Sequence, residues 1–340
     1  MNIQQLKATA VAMVAPGKGI LAMDESHPTC NKRFDKLGIP TTEEKRREYR
    51  HLLLKEDGMG QYIGGAILFD ETLRQTTLDG KPFAERLTEI GIVPGIKVDQ
   101  GAKELALHRG EKVTEGLDGL RDRLSEYYEL GARFAKWRAV ITIGDDIPSR
   151  ACLVANAHAL ARYAALCQEA DLVPIVEPEV LMDGTHTIER SYEVTHAAQQ
   201  LVFEHLAEQG VVLEGMVLKP NMVVSAYECP QRAGVEQVAQ QTIRCLKSTV
   251  PPQVPGIAFL SGGQTDEEAT EHLNAMNGLG EALPWRLTFS YGRALQQAAM
   301  QAWNGDANNV DQAAKVILHR ARMNGAATNG EYSPEMENAA

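Results

Sequence analysis

The chain has 340 residues, of which 44% are hydrophobic, enough to bury a sizeable core in one large α/β domain or in two ordinary ones. Its formal net charge of -11 creates a background potential that repels nucleic acid and anionic membranes, so we expect neither as a partner. An anionic ligand would therefore need a local basic pocket.

The five cysteines are odd in number and widely spaced, with no Cys-x-x-Cys pair, which is typical of a reduced chain inside the cell. The N-terminal stretch has a short apolar patch without a basic segment before it, and no run of 18 apolar residues follows later. We therefore expect no signal peptide and no membrane span, and a first helix that stops at Pro16 and Gly17.

Eight short apolar runs, each bounded by Gly, Pro or charge, follow one another along the chain. They predict strands near 19–26, 65–71, 95–101, 132–138, 173–179, 215–221, 256–263 and 286–293. Segments with apolar residues at a spacing of three to four predict amphipathic helices between them, at 41–56, 117–131, 149–170, 189–210 and 235–248. Strand and helix alternating eight times favour a single (β/α)8 TIM barrel over residues 1–324 rather than an open doubly wound sheet. The small and polar residues that follow predict a mobile tail over 325–340.

Polar side chains stand at the carboxyl ends of the predicted strands, where barrel enzymes build their active sites. They are Asp24, Asp70 or Glu71, Lys97 with Asp99, Lys136 with Arg138, Glu177 with Glu179, Lys219, Ser261, and Tyr291 with Arg293. Lys136 and Arg138 are two apart, as are Glu177 and Glu179, so each pair shares one face of its strand. For any one pair, a rim salt bridge without chemistry is an equally good interpretation, but it explains all eight strand ends together poorly.

Three lysines, Lys97, Lys136 and Lys219, end three of these strands and should converge in the small mouth of a barrel. Lysines are almost never fully buried unless they are paired. A partly desolvated lysine near other positive charge loses its proton more readily, and its neutral amine can attack a carbonyl. The carboxylates would then do the acid and base work. The iminium would serve as the electron sink, so neither a metal nor another cofactor is required.

One phosphate site is indicated after the seventh and eighth strands. The stretch LSGGQ at 260–264 offers Ser261, Gly262 and Gly263 after a strand, where free backbone N–H groups can form an anion nest. SYGRA at 290–294 adds Gly292 and the guanidinium of Arg293. Ser-Gly-Gly alone is more often an ordinary turn. Its position in the barrel and the neighbouring guanidinium favour phosphate.

A second basic group follows the first strand and comprises Ser26, Thr29, Lys32 and Arg33. A solvated helix start is an equally good interpretation of this group. If both groups bind phosphate, the substrate carries one phosphate at each end.

Seven motifs, in order from about residue 3 to residue 323, resemble those of the class I, Schiff-base fructose-bisphosphate aldolases. They are GILAMDES, GIKVD, ARFAKWR, PIVEPE, LEGMVLKPNMV, FLSGGQ and FSYGRALQ. The stretches GQYIGGAILF, GLDGL and TIERSYEV are most similar to the plant-plastid and bacterial branch. The resemblance implies reversible, metal-independent aldol cleavage of fructose 1,6-bisphosphate to dihydroxyacetone phosphate and glyceraldehyde 3-phosphate, in glycolysis, gluconeogenesis or the Calvin cycle.

The resemblance also implies a role for each matching residue. Lys219 would form the Schiff base, and Glu177, supported by Glu179, would dehydrate the carbinolamine. Asp24 would handle the hydroxyl proton during carbon–carbon cleavage, while Lys136 would stabilise developing charge and help to keep Lys219 neutral. The substrate-binding residues would be Lys97 and Arg138 in the mouth, Ser261, Gly262 and Arg293 at one phosphate, and Ser26, Thr29, Lys32 and Arg33 near the other.

The chain departs from the family at its end, MENAA, where many members have a tyrosine that folds over the site and assists proton transfer at the enamine carbon. The last tyrosine here is Tyr332. Either Tyr332 substitutes, another group transfers the proton, or the step is slower or differently assisted, which we favour.

By the same resemblance we expect a homo-oligomer, often a tetramer, in the cytoplasm, or in the plastid stroma if a transit peptide has been removed. Another iminium-forming barrel, such as a transaldolase acting on a monophosphate, is the alternative enzyme, and two phosphate groups argue against it. A non-catalytic barrel scaffold would predict loss of Asp24, Lys136, Glu177 or Lys219, yet all four are present. The sequence does not rank fructose 1,6-bisphosphate against sedoheptulose 1,7-bisphosphate or fructose 1-phosphate, because pocket shape decides that choice.

Overall fold

The computed structural model describes residues 1–338, which contain ten β-strands and twelve α-helices. The strands are β1 Gly19–Met23, β2 Ile63–Leu68, β3 Val93–Lys97, β4 Ala102–Glu104, β5 Lys112–Thr114, β6 Phe134–Ile141, β7 Val173–Val180, β8 Val217–Leu218, β9 Gly256–Phe259 and β10 Arg286–Tyr291. The helices are α1 Ile3–Met13, α2 His27–Asp35, α3 Glu43–Leu52, α4 Asp70–Arg74, α5 Phe83–Glu89, α6 Leu120–Glu129, α7 Arg150–Glu169, α8 Ile188–Glu208, α9 Val235–Thr249, α10 Asp266–Asn277, α11 Arg293–Trp303 and α12 Val310–Ala327.

Eight parallel strands close into a barrel in the order β1-β10-β9-β8-β7-β6-β3-β2. The ring closes where β10 pairs with β1, with Ser290 opposite Ile20. Each of the eight predicted apolar runs overlaps one barrel strand, and the five predicted helices are α3, α6, α7, α8 and α9. The predicted (β/α)8 barrel is therefore confirmed. The antiparallel hairpin of β4 and β5, in the connection after β3, was not predicted from the sequence.

Apolar side chains fill the inside of the barrel, and α1 closes its amino-terminal end. The inward residues pack with α1 in one cluster, which comprises Leu6, Ala10, Met13, Val14, Ile20, Ala22, Ile67, Phe134, Val173, Ile175, Val217 and Ala258. The Phe134 ring occupies the place where a Cβ of residue 95 would stand, so Gly95 leaves the room that the ring needs. Because this end is packed shut, a ligand reaches the barrel from the carboxyl ends of the strands.

The outer faces of the strands are covered by the helices, as a parallel sheet requires. Every residue of β1 and of β2 is buried, which explains why these strands are continuous apolar runs instead of alternating ones. Ser149, Thr187 and Thr265 cap α7, α8 and α10, each accepting the N–H three residues further on. Within residues 1–338, no helix combines the length and the apolar character needed to cross a bilayer.

The expected tail over 325–340 starts within the last α-helix. Residue 325, the expected start of the tail, lies inside α12, which continues to Ala327. Tyr332 beyond it is buried, and its hydroxyl donates to Oε1 of Glu337 at 2.9 Å. The same Glu337 oxygen pairs with Arg320 on α12 at 2.5 Å. The described part of this segment is therefore packed against the helical layer, and its mobility stays a prediction.

Candidate active site

A cavity of about 980 Å³ opens at the carboxyl ends of the barrel strands. All the residues that the sequence assigned to a site line it. They are Asp24, Ser26, Thr29, Lys32, Arg33, Lys97, Lys136, Arg138, Glu177, Glu179, Lys219, Ser261, Gly262 and Arg293. The barrel thus brings together side chains from both ends of the chain.

Four other polar residues near the strand ends do not line this cavity: Asp70, Glu71, Asp99 and Tyr291. Tyr291 faces the opposite way from Ser290 on β10, and its hydroxyl donates to the carbonyl of Ala269 at 2.8 Å. Asp99 does not line the cavity itself but contacts Lys97, which does. One of its carboxylate oxygens lies 2.7 Å from Nζ of Lys97. The strand-end pattern therefore included residues that make structural contacts outside the cavity.

The carboxylate of Glu177 lies between two lysines on the neighbouring strands. Its Oε1 is 3.3 Å from Nζ of Lys219, and its Oε2 is 3.4 Å from Nζ of Lys136. Lys136 also pairs with Asp24, at 2.7 Å between Nζ and Oδ2. The lysines converge as expected, but the two carboxylates stand between them. Positive charge alone therefore does not describe the surroundings of Lys219.

The Asp24–Lys136 pair is charged on both sides at neutral pH. Burial would raise the pKa of Asp24, but Lys136, Lys219 and Lys97 hold that pKa well below its usual range. Burial would lower the pKa of Lys136, but the carboxylates of Asp24 and Glu177 raise it well above its usual range. Both groups are almost fully buried, so water screens their attraction only weakly.

Lys219 is fixed by its backbone although β8 has only two residues. Its N–H donates to the carbonyl of Val176 at 2.8 Å, which extends the pairing with β7 by one residue. Pro220 brings no N–H, yet its carbonyl accepts from the N–H of Leu260 at 3.0 Å. Pro220 therefore ends the regular strand pairing, but its carbonyl still bonds to the neighbouring segment after β9. The side chain of Lys219 is directed into the cavity from a restrained position.

A second charged pair lies further out in the mouth. Arg138 on β6 makes an ion pair with Glu179 on β7. Burial would lower the pKa of Arg138, but the carboxylate of Glu179 raises it. Lys136 and Arg138 share one face of β6, and Glu177 and Glu179 share one face of β7. The two neighbouring strands therefore carry two facing ion pairs, Lys136–Glu177 and Arg138–Glu179.

The loops after β9 and β10 meet at one side of the cavity. Gly262 and Gly263 have φ angles of 58° and 99°, in the left-handed region that favours glycine. A Cβ on residue 263 would overlap the hydroxyl of Tyr227 and would lie 2.5 Å from a guanidinium nitrogen of Arg293. Arg293 is also the first residue of α11, so the positive end of that helix dipole faces the same place. These features are those of an anion site.

A buried histidine supports this loop from behind. Nδ1 of His272 lies 2.5 Å from Oε1 of Gln264, whose amide nitrogen donates to the carbonyl of Ser261 at 3.0 Å. Because an amide oxygen only accepts, the proton of the neutral imidazole is on Nδ1. Burial lowers the pKa of His272 to about 4.

The basic group after β1 lies on α2. Ser26 is the N-cap residue but makes no capping hydrogen bond, and its Oγ is 3.2 Å from Oγ1 of Thr29. Both hydroxyls therefore lie at the positive end of a helix that lines the cavity. Arg33 is held at 2.6 Å by the carboxylate of Glu25.

Sequence reasoning missed several residues of the cavity wall, among them Glu25, Tyr227 and Ser290. Glu25 follows Asp24 directly, and its charge next to a strand end was the available signal. Tyr227 comes from an irregular segment after β8, which has no periodicity to interpret. Among residues 1–338, no group of three His, Cys, Asp or Glu side chains has an arrangement that could hold a metal ion.

Fold and cavity together define a (β/α)8-barrel enzyme whose polar site lies at the carboxyl ends of the strands. Residues 5–340 match the family described as fructose-bisphosphate aldolase class-I. The chain belongs to this family, and it is an aldehyde lyase that cleaves fructose 1,6-bisphosphate in a reversible aldol reaction.

Individual relatives agree with this assignment over nearly the full length. A protein of Xanthomonas campestris named "Probable fructose-bisphosphate aldolase class 1" is 62% identical over 333 residues, which cover 98% of this chain and 99% of the relative. Arabidopsis thaliana "Fructose-bisphosphate aldolase 4, cytosolic" is 51% identical over 333 residues, 98% of this chain and 85% of the relative. The solved structure of the Plasmodium falciparum aldolase, in complex with TRAP and a small molecule inhibitor, has a TM-score of 0.95 and 49% identity, covering 97% of this chain and 95% of that one.

Proposed function

We propose that this chain performs the aldolase reaction with Lys219 as the residue that forms the Schiff base. The observation that carries the proposal is the position of Lys219, with its Nζ buried in the cavity and 3.3 Å from a carboxylate oxygen of Glu177. An amine that attacks a ketone must lose a proton, and the carbinolamine that results must lose water. A carboxyl group in contact with the amine serves both needs.

The first half of the reaction is imine formation. Glu177 takes a proton from the ammonium of Lys219, and the neutral amine attacks the keto carbon. Glu177 then returns the proton to the hydroxyl of the carbinolamine, which leaves as water. Glu179, held by Arg138, supports this step by fixing the mouth next to Glu177. The product is an iminium, which accepts the electron pair of the bond that breaks next, so no metal is needed as the electron sink.

The second half is cleavage. Asp24 takes the proton of the hydroxyl on the carbon that becomes the aldehyde, and the electron pair of the broken carbon–carbon bond forms an enamine. Lys136, 2.7 Å from Asp24, stabilises the charges that develop. After glyceraldehyde 3-phosphate leaves, protonation of the enamine carbon and hydrolysis of the iminium release dihydroxyacetone phosphate.

The two basic groups would hold the two phosphates. Ser261 and Gly262 follow β9, next to the strand that carries Lys219, so they suit the phosphate nearest to the keto carbon. Ser26, Thr29, Lys32 and Arg33 follow β1, which carries Asp24, so they suit the phosphate at the aldehyde end. Arg293 belongs to the first site, and Lys97 and Arg138 to the mouth between the two.

The test is borohydride reduction in the presence of dihydroxyacetone phosphate, followed by peptide mass spectrometry. The expected result is a reduced adduct on Lys219, and its absence would overturn the proposal. The exposed Lys247, paired with Glu281 outside the cavity, is the internal control and should stay unmodified. Cleavage assays with fructose 6-phosphate exclude a transaldolase if that substrate is not turned over, and activity should persist in EDTA.

Four further properties are proposed from the resemblance to this family. We propose a cytoplasmic location, which is supported by the cytosolic Arabidopsis relative, with the plastid stroma as the alternative. Membership of the plant-plastid and bacterial branch is a further proposal, which is supported on its bacterial side by relatives such as the Xanthomonas protein. A homotetramer, and a single barrel domain over 1–324 with a tail over 325–340, are further proposals. Mass photometry of the purified chain tests the first and limited proteolysis the second.

A further inference from the structure

Glu25 is a buried carboxylate that takes no part in the reaction proposed above. It follows Asp24 at the end of β1, and only 7% of its side chain is exposed. Burial would raise its pKa, but Arg50 and Arg33 lower that pKa, so the group is charged at neutral pH. A buried carboxylate is destabilising unless cations and hydrogen-bond donors contact it.

Behind Glu25 stands Arg50 on α3, whose side chain is 2% exposed. Its Nη1 lies 2.6 Å from Oε2 of Glu25, in an ion pair whose N–H is not aligned as a hydrogen bond, and its Nη2 donates to the backbone carbonyl of Glu25 at 3.2 Å. Gln296 on α11 donates to Oε1 of Glu25 at 3.2 Å. Glu25 is therefore clamped from α3 and from α11, and its carboxylate has little freedom to move.

In front of Glu25 stands Arg33, which faces the cavity. Nη1 of Arg33 lies 2.6 Å from Oε1 of Glu25, and about a quarter of the Arg33 side chain is exposed, 26%. Two arginines share one carboxylate, so the cluster keeps one net positive charge, carried on the cavity side. An arginine side chain on a helix surface is otherwise free to adopt many rotamers, and fixing it reduces the entropy lost when it binds an anion.

We propose that Glu25, held by Arg50, is the positioning residue that aims Arg33 at the phosphate on the aldehyde end of the substrate, and that it thereby sets the preference for a bisphosphate over a 1-phosphate sugar. The inference rests on the proposed function, in particular on the placing of the second phosphate at α2. It assigns Glu25 no contact with the substrate. Its effect is transmitted through the guanidinium of Arg33.

The experiment compares two substrates that differ only at that end, fructose 1,6-bisphosphate and fructose 1-phosphate, in steady-state cleavage. The variants are Glu25→Gln, which keeps the shape but removes the charge, Glu25→Asp, which keeps the charge but withdraws it, and Arg33→Ala. For Glu25→Gln we expect the kcat/KM for fructose 1,6-bisphosphate, divided by that for fructose 1-phosphate, to fall about tenfold. This is the effect of one weakened charge-assisted hydrogen bond. The ratio should fall because KM for the bisphosphate rises, and Glu25→Asp should lower the ratio by less.

A double variant separates positioning from general damage. If Glu25 acts through Arg33, Glu25→Gln should not change the substrate ratio further in the Arg33→Ala background. Equal losses on both substrates in Glu25→Gln and Glu25→Asp, or an unchanged ratio in Arg33→Ala, would overturn the inference while leaving the aldolase reaction intact. A wild-type chain that cleaves neither sugar would instead refute the proposed function. Should Glu25→Gln fail to fold, Glu25→Asp and the double variant built on it decide the question.

Discussion

Nζ of Lys219 lies 3.3 Å from Oε1 of Glu177, across the neighbouring strands β8 and β7. The contact pairs a candidate nucleophile with a candidate acid at the end of a barrel that is packed shut on its other side. The same carboxylate reaches Lys136 with its second oxygen. Proton transfers that involve these three groups therefore need no large movement of the chain.

Replacing Glu177 by Gln should slow imine formation by about 10²–10⁴-fold, because an amide cannot donate the proton that the leaving hydroxyl needs. Rapid mixing with dihydroxyacetone phosphate and borohydride quenching measures the rate. Glu111→Gln is the matched control, since Glu111 is a buried carboxylate that accepts from the N–H of Ser149 away from the cavity. A normal rate of imine formation in Glu177→Gln would contradict the assignment.

Lys136→Met should slow iminium formation and cleavage by about 10²-fold or more, because Asp24 and Glu177 lose the cation that both contact. Single-turnover cleavage of fructose 1,6-bisphosphate measures the effect, and circular dichroism checks that the barrel is formed. Lys136→Arg, which keeps the charge, should retain more activity. Imine formation at the wild-type rate in Lys136→Met would refute the role of this lysine.

Gly263→Ala should raise KM for fructose 1,6-bisphosphate about tenfold, because the added Cβ would displace Tyr227 and Arg293 from the candidate phosphate site. Gly80→Ala is the matched control. Its φ of 87° is close to the 99° of Gly263, but nothing lies within 4 Å of its added Cβ. The control should lose about 1 kcal/mol of stability with no change in KM. Equal KM values in the two variants would count against the phosphate site.

Stability should fall between pH 6.5 and pH 4 in part because of His272. Its pKa is lowered from 6.5 to about 4 in the folded chain, so over this range the unfolded chain binds a proton that the folded chain does not. The contribution is complete above pH 6.5 and is lost as the pH falls, by about 1.4 kcal/mol per unit and about 3 kcal/mol in all.

The variant His272→Asn tests this pH dependence, because asparagine can still donate to Gln264 but does not titrate. Urea unfolding at pH 7 and at pH 5 should show a smaller loss of stability in the variant than in the wild type. An equal loss in both would show that His272 does not carry it.

Tyr332→Phe should leave the exchange of the enamine proton with solvent unchanged, because the Tyr332 hydroxyl is buried against Glu337 and does not line the cavity. The lost hydrogen bond should cost about 1 kcal/mol of stability. Deuterium uptake into dihydroxyacetone phosphate, followed by NMR, measures the exchange. Tyr127→Phe, which removes a hydroxyl that donates to Asp70 at 2.8 Å, is the control, and a much slower exchange in Tyr332→Phe alone would mean that the tail undocks and reaches the site.

The eight barrel strands, most of the longer helices and the residue types expected at the site could be predicted from the sequence. The eight barrel strands are short apolar runs because the helices cover their outer faces, and the five predicted helices show an apolar stripe, so both patterns are local and can be interpreted without a structure. The period of two placed Lys136 and Arg138 on one face, and the barrel interpretation placed Lys219 and Asp24 at the same end. The mobile tail is the weakest of these interpretations, because composition does not show whether Tyr332 packs against its neighbours.

Only the tertiary structure decided which charges neutralise one another. The pairing of β7 with β6 and with β8 put Glu177 between two lysines, and α3 supplies Arg50 to the carboxylate of Glu25 from another part of the chain. Tyr227, from the segment after β8, reaches the loop after β9 in the same way. Such contacts depend on how elements far apart in the chain pack, and the attraction between charges depends on their distance and burial. A local sequence pattern contains neither quantity.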